Sequence, residues 1–212
     1  MISKCMYSKL LLSSALLTGT MLMAQSVPSG GAGSGGAQTQ PTTPSQPTTA
    51  AGVNSAANDT AMQQKMTDRS FVRKALEGGM AEVQLGQLAQ QKSQSDDVKQ
   101  FGQKMVQDHT QMGDQLKPIA QQLSVKEPKT LPKKDRELMA KLQALSGSQF
   151  DEAYIKAMVK DHKEDLRDFK DEAQTTQDPN LKQAAQQGST VISQHLQMIE
   201  QIAQSHNVTA SK

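Results

Sequence analysis

Residues 95–123 read SDDVKQFGQKMVQDHTQMGDQLKPIAQQL and carry the clearest structural pattern of the chain. Ser95 predicts an N-cap, and Asp96 and Asp97 follow in the first turn, where the helix dipole favours negative charge. Apolar residues then recur every three or four positions: Val98, Phe101, Met105, Met112, Leu116, Ile119 and Leu123. This period predicts an amphipathic helix with one buried face, kinked near its end by Pro118.

Three other segments show the same helical period. The first predicted helix covers about residues 68–92, and the third covers about residues 148–175. Asp178 and Pro179 mark the start of the fourth, as a cap followed by proline at the first helical position. No alternating strand pattern competes with these helices, so the sequence predicts an all-α fold.

The connection between the second and third predicted helices, residues 123–147, contains a short amphipathic helix with Leu138, Leu142 and Leu145. A connection of this kind is typical of a crossover that runs the length of a bundle and leaves the helices on either side of it parallel. We therefore predict a four-helix bundle with a long helix-containing crossover between helices 2 and 3. The folded domain is predicted to occupy residues 66–208.

Each long helix carries one ionisable residue near its middle, set into an otherwise apolar stripe: Glu82, His109, His162 and His195. Glu82 lies 14 residues into the first helix, and His109 lies 14 residues after Ser95. The middle of a helix stays in the middle whichever way the helix runs. A bundle should therefore bring the four side chains to one level.

Metal coordination is one interpretation of this polar layer. Imidazole suits Zn, Cu, Fe and Ni, and a carboxylate adds charge. Asp108 adjoins His109, and Asp165 lies one turn after His162, so both could orient the imidazoles. The predicted outer partners of the histidines are Asp108, Asp151, Tyr154 and Asp165. The hypothesis is one transition-metal ion at Glu82, His109, His162 and His195.

A metal-free network of hydrogen bonds is the alternative interpretation. The same four side chains could satisfy one another and fix the register of the helices. Histidines near a carboxylate would then change charge at about pH 6 to 7. Methionines on adjacent turns, Met105, Met112, Met158 and Met198, could supply thioether ligands for Cu(I), although Met at helical spacing more often fills a core.

Residues 1–24 have the pattern of a secretory signal peptide. Lys4 and Lys9 precede the apolar run of residues 10–23, and Ala24 offers a cleavage site. The run is shorter than the roughly 20 residues of a comfortable membrane span, with a retained anchor as the alternative. Cys5 is the one cysteine, so no disulfide and no membrane span are expected after signal cleavage.

Residues 25–65 are rich in Gly, Ser, Thr, Pro, Gln and Ala and predict a disordered low-complexity linker. Lys4 and Lys9 are the only charges in the signal; without them Lys+Arg falls from 23 to 21, against 21 Asp+Glu. A chain without net positive charge lacks the basic footprint of a nucleic-acid-binding protein. The composition therefore excludes nucleic acid as an expected partner.

Motifs of several enzyme classes are missing from the sequence. There is no Gly-x-Ser-x-Gly elbow, and the histidines stand one per helix instead of forming His-Glu-x-x-His. An oxidase or peroxide-handling enzyme would need an open position on the metal. The sequence leaves open whether the protein is an enzyme.

Residues 71–206 resemble a family of exported bacterial proteins described as a domain of unknown function, often labelled outer-membrane proteins and placed in the ferritin-like superfamily. The matching motifs are Phe71-Val72, Glu82-Val83, Leu85-Gly86, Met105-Val106-x-Asp108-His109, Phe150-Asp151-x-x-Tyr154, His162 and His195-Leu196. The resemblance implies a ferritin-like bundle and no particular activity. The sequence lacks the four carboxylates and two Glu-x-x-His motifs of di-iron members, which argues against two irons.

These observations lead to two functional hypotheses. The first is a periplasmic or secreted ferritin-like bundle that binds a single transition metal at the His/Glu layer. The second is a metal-free envelope or stress-related interaction protein with a structural polar core. An envelope protein or a second copy of the chain could be the partner in either case.

Overall fold

The computed structural model describes the backbone of residues 51–209 and the side chains of residues 58–209. Over this range the chain forms five helices and no strand, and the predicted all-α class is confirmed. The helices are α1 (Ala51–Lys92), α2 (Asp96–Gln122), α3 (Lys133–Gln143), α4 (Gly147–Thr175) and α5 (Pro179–Ser205). The predicted signal peptide and residues 25–50 of the predicted linker lie outside the described residues.

The long helices pack in two antiparallel pairs, α1 with α2 and α4 with α5, and contacts of α2 with α5 and of α1 with α4 join the pairs. One apolar cluster combines the C-terminal parts of α1 and α5 with the N-terminal parts of α2 and α4, and includes Leu85, Phe101, Tyr154 and Ile199. The opposite ends meet in a second cluster. Therefore α2 and α4 run in the same direction, and the connection that carries α3 spans the distance between them.

Two glycines allow α1 and α2 to approach closely. A Cβ atom on Gly86 would lie 2.6 Å from the carbonyl oxygen of Gly102, and a Cβ on Gly102 would lie 2.7 Å from the oxygen of Gly86. Both distances are too short for real side chains. The low helix propensity of these glycines is thus offset by close packing of the two backbones.

The starts of α2 and α5 differ in how they are capped. Asp178 caps α5, because its Oδ1 accepts hydrogen bonds from the backbone N–H groups of Asn180 (2.9 Å) and Leu181 (3.0 Å). Ser95 precedes α2 in an extended conformation but makes no side-chain cap hydrogen bond. Its hydroxyl donates instead to the carboxylate of Asp97.

Helix α1 begins at Ala51, whereas the sequence predicted a helix from about residue 68. Residues 51–65, which were assigned to the linker, are therefore helical. Their side chains are largely exposed from residue 58 onward, and Met62 and Met66 are 69% and 60% exposed. Ala, Gln and Met have good helix propensity, and extending a helix already nucleated by packing costs little. Among the described helices, none combines the length and apolar character needed to cross a membrane.

Candidate metal centre

The four predicted residues lie together between the two apolar clusters. Glu82 is on α1, His109 on α2, His162 on α4 and His195 on α5. Each is flanked along its helix by core residues, as His109 is by Met105 and Met112. All four are buried, with exposures of 1%, 3%, 0% and 0% in that order. The polar layer thus lies in the middle of the core, away from bulk water.

The three imidazole rings face one another. Their centroids are 6.0 Å apart for His109 and His162, 5.2 Å for His109 and His195, and 5.6 Å for His162 and His195. One ring nitrogen from each histidine lies within 4.8 Å of the other two. Three nitrogens converge in a space that one ion could occupy.

The outer nitrogen of each ring is held by a neighbour. His162 Nδ1 lies 2.9 Å from the carbonyl oxygen of Met158 and donates to it. His195 Nε2 lies 2.7 Å from Asp108 Oδ2. His109 Nδ1 lies 2.8 Å from Glu82 Oε2, which is an ion-pair contact when the ring is protonated. Such outer hydrogen bonds fix the tautomer and orientation of a ring, as they do for metal-bound histidines.

The inner atoms lack hydrogen-bond partners within the described part of the chain: His109 Nε2, His162 Nε2, His195 Nδ1 and Glu82 Oε1. His162 Nε2 and Glu82 Oε1 lie 3.6 Å apart. Buried polar atoms are nearly always satisfied, because each unsatisfied one costs about 1–3 kcal/mol. Four such atoms at one place indicate that something else satisfies them.

Burial sets the charge of the histidines. It lowers the pKa of His109 to about 4, of His162 to about 3 and of His195 to about 4. The expected titration at pH 6 to 7 is therefore wrong for these rings, because desolvation outweighs the nearby carboxylates. At neutral pH the rings are uncharged, which is the state that binds metals.

Asp108 orients a different histidine from the one expected. It accepts from His195 on α5, not from its neighbour His109, because adjacent residues on a helix point in different directions. It also receives a hydrogen bond from Lys104 Nζ at 2.7 Å. Burial alone would raise the pKa of Asp108, but the hydrogen bonds from Lys104 and His195 lower it below its ordinary value. Asp108 is thus ionised, and His195 Nε2 donates to it.

Asp165 lies with Glu82 and with Asp161, a residue that the sequence analysis missed. One carboxylate oxygen from each of the three lies within 4.8 Å of the others. Burial raises the pKa of Asp165 to about 8, with Glu82 and Asp161 adding to the effect. Burial also raises the pKa of Glu82, and Asp161 raises it further. The spacing of Asp161 and Asp165, four residues apart on one helix, was the available signal.

Asp151 and Tyr154 are buried on the first turns of α4. The Tyr154 ring stacks on Phe150 at 5.7 Å and meets Phe101 edge-on at 6.3 Å. Phe101 in turn lies 6.0 Å from the ring of His162. Phe101 thus contacts both Tyr154 and His162, and among the described residues neither Asp151 nor Tyr154 makes a hydrogen bond to a histidine of the layer.

The chain matches the domain of unknown function DUF4142 over residues 51–202 and belongs to that family. None of the curated proteins is a significant match. A crystal structure of a DUF305 protein from Streptomyces coelicolor, named as secreted, is similar in fold, with a TM-score of 0.60 and 11% sequence identity. The similarity covers 69% of this chain and 97% of that one. At this identity the likeness concerns the fold alone.

Proposed function

We propose that this protein is an exported metal-binding protein, which holds one transition-metal ion between His109, His162 and His195. Glu82 supplies the carboxylate of the site. The proposal rests on the ring nitrogens that face the centre of the site. Because the opposite nitrogen of the ring donates a hydrogen bond to its outer partner, the inner nitrogen carries no proton. His162 and His195 each donate outward, to a carbonyl and to an ionised carboxylate, so each presents a lone pair to the centre.

The position of Glu82 supports a role as the fourth ligand. Its Oε1 lies 3.6 Å from His162 Nε2. Two lone pairs facing each other in a dry core repel, unless a cation lies between them. Ligand atoms at about 2.0–2.1 Å from a tetrahedral zinc lie roughly 3.3 Å apart, close to the observed separation. A bound cation also favours ionised Glu82. For Oε1 to bind the same ion as His109 Nε2, the carboxylate would turn away from His109 Nδ1, which lies 2.8 Å from Oε2 in this structure.

The donor set selects the class of ion. Neutral imidazoles suit Zn, Cu, Fe and Ni, and are poor ligands for Mg and Ca. The histidine group contains a single carboxylate, so a carboxylate-bridged pair of irons is not proposed. Three nitrogens and one oxygen nearly fill a four-coordinate shell. This arrangement favours binding or sensing of the ion over turnover of a substrate.

Export to the periplasm or beyond is part of the proposal. The signal-like pattern of residues 1–24 supports it, and the secreted Streptomyces coelicolor protein shares the fold. We also propose that the fold is a ferritin-like four-helix bundle. Antiparallel pairs α1–α2 and α4–α5, joined by one long crossover, are the arrangement of such folds.

The test is the metal content of the protein purified from its exporting compartment without a metal-affinity tag. We expect close to one transition-metal ion per chain, and loss of the ion in the double variant His109→Ala/His162→Ala. His206→Ala is the matched control, because His206 bonds Asp97 at the end of α5, away from the polar layer. A metal-free protein whose melting temperature does not respond to Zn, Cu or Fe would favour the structural polar core and contradict the proposal.

A further inference from the structure

A second group of ligand atoms lies beside the histidines on the α1–α4 side of the molecule. Asp161 and Asp165 share one face of α4, and Glu82 approaches them from α1. One oxygen of each carboxylate lies within 4.8 Å of the other two. This set contains only oxygen ligands, whereas the neighbouring set contains three imidazole nitrogens.

The buried end of this carboxylate group has an unused ligand atom. Glu82 is 1% exposed, and its Oε1 has no hydrogen-bond partner in the described region. Its other oxygen is occupied by His109 Nδ1. Glu82 thus contacts a histidine with one oxygen, and its second oxygen, also the proposed fourth ligand of the histidine-bound ion, would bridge the two cations when both are present.

A cavity of about 490 Å³ leads to Asp161 and Asp165 from the surface formed by α1, α3 and α4. Six acidic residues are part of its wall: Glu77, Asp135, Asp161, Glu164, Asp165 and Asp168. Lys74, Lys134 and Arg167 are the basic residues of its wall, so six acidic groups face three basic ones. A cleft with excess negative charge concentrates cations.

Lys134 does not replace a bound cation at this group. Its side chain is 73% exposed, and its Nζ lies 3.9 Å from Asp135 Oδ1 at the mouth of the cavity. An ammonium group in that position is hydrated, so its attraction for the deeper carboxylates is screened. Lys134 attracts the three inner carboxylates, but it supplies a single positive charge for all of them.

We propose that Glu82, Asp161 and Asp165 form a second cation site, which takes a divalent ion that prefers oxygen ligands. Carboxylates and water are the ligands of Mg²⁺, Ca²⁺ and Mn²⁺, and the cavity leaves room for coordinated water. The site goes beyond the proposed transition-metal function, because it does not require any histidine to bind an ion.

The test titrates the purified protein with Mn²⁺ and follows the electron paramagnetic resonance signal of the free aqueous ion. We expect one Mn²⁺ per chain, bound also by the variant His109→Gln/His162→Gln, and displaced by Ca²⁺ or Mg²⁺. Asp161→Asn/Asp165→Asn should weaken binding at least about tenfold, as loss of metal ligands does. Asp168→Asn is the control, because Asp168 lines the same cavity but pairs with Arg167 at 3.7 Å.

Three results would contradict this second site. Mn²⁺ affinity could fall equally in Asp168→Asn, Mn²⁺ binding could be lost in His109→Gln/His162→Gln, or the unmodified protein could show no saturable Mn²⁺ binding. Zn²⁺ binding by Asp161→Asn/Asp165→Asn separates the two proposals. Retained Zn²⁺ with lost Mn²⁺ supports both sites, whereas Mn²⁺ binding without Zn²⁺ binding leaves only the carboxylate site. Melting curves of each variant verify that it is folded, and the single variant Asp165→Asn replaces the double one if needed.

Discussion

Replacing Glu172 with glutamine should make the protein more stable at high pH and flatten the dependence of its stability on pH. Glu172 on α4 is 4% exposed, and it is hydrogen-bonded to Asp68 on α1, which is 5% exposed. Burial, together with the hydrogen bond to Asp68 and its charge, raises the pKa of Glu172 from 4.5 to about 7. The native protein therefore prefers Glu172 protonated, with its O–H shared with Asp68.

The sign and size of the effect follow from proton linkage. Between about pH 4.5 and 7 the folded state binds more protons at Glu172 than the unfolded state does, so stability falls as pH rises through this window. Each pKa unit corresponds to about 1.4 kcal/mol, which sets an upper limit of roughly 3 kcal/mol for the loss. Glutamine imitates the protonated acid and donates to Asp68 at every pH, so Glu172→Gln should avoid most of this loss.

The assay is urea denaturation at pH 5, 6, 7 and 8 in the presence of a chelator. The variant should gain up to about 3 kcal/mol on the unmodified protein at pH 8 and little at pH 5. Glu152→Gln on the same helix is the control, because its carboxylate is 58% exposed and pairs with Lys156. Parallel pH profiles for Glu172→Gln and the unmodified protein would show that protonation of Glu172 does not contribute to the stability of the fold.

Two further predictions concern the outer partner of a histidine and the packing of helices. Asp108→Asn should weaken transition-metal affinity by about 10–100-fold, because His195 loses the ionised acceptor that orients it. A competitive chelator titration measures this affinity, and an unchanged value would contradict the orienting role of Asp108. Gly86→Ala should lower stability by about 1–3 kcal/mol in chemical denaturation, because its Cβ would lie 2.6 Å from the Gly102 oxygen. Gly78→Ala should instead stabilise by roughly 0.5–1 kcal/mol, since nothing lies within 4 Å of its Cβ; equal effects of the two alanines would show that the close approach is unimportant.

The helices of the folded region could largely be predicted from the sequence, because apolar periodicity and caps are local signals. Asp178 shows this well, since it caps α5 through two backbone N–H groups as its position before Pro179 suggested. The start of α1 could not be predicted in this way. Residues 58–65 have no buried face to create a period, and the helicity of residues 51–65 depends on good propensity and on the packed helix that follows.

The level of the four polar residues could also be inferred, because depth along a helix does not depend on topology. The hydrogen-bond partner of each histidine could not be inferred, since it depends on how each helix is rotated about its axis. Asp108 therefore orients His195 across the α2–α5 contact and not its sequence neighbour. Asp161 was missed because it adjoins His162 outside the apolar stripe, and only the approach of α1 brings it to Glu82. That the layer binds a metal remains a prediction.

X-ray absorption spectroscopy of the protein loaded with one equivalent of Zn²⁺ shows directly whether the three histidines bind the ion. We expect a four-coordinate shell of nitrogen and oxygen at about 2.0–2.1 Å, with the multiple-scattering pattern of three imidazoles. His162→Gln should reduce that pattern to two imidazoles or abolish binding, and His206→Gln should leave it unchanged. A spectrum without imidazole scattering, or one altered equally by both variants, would show that the three histidines do not bind the ion.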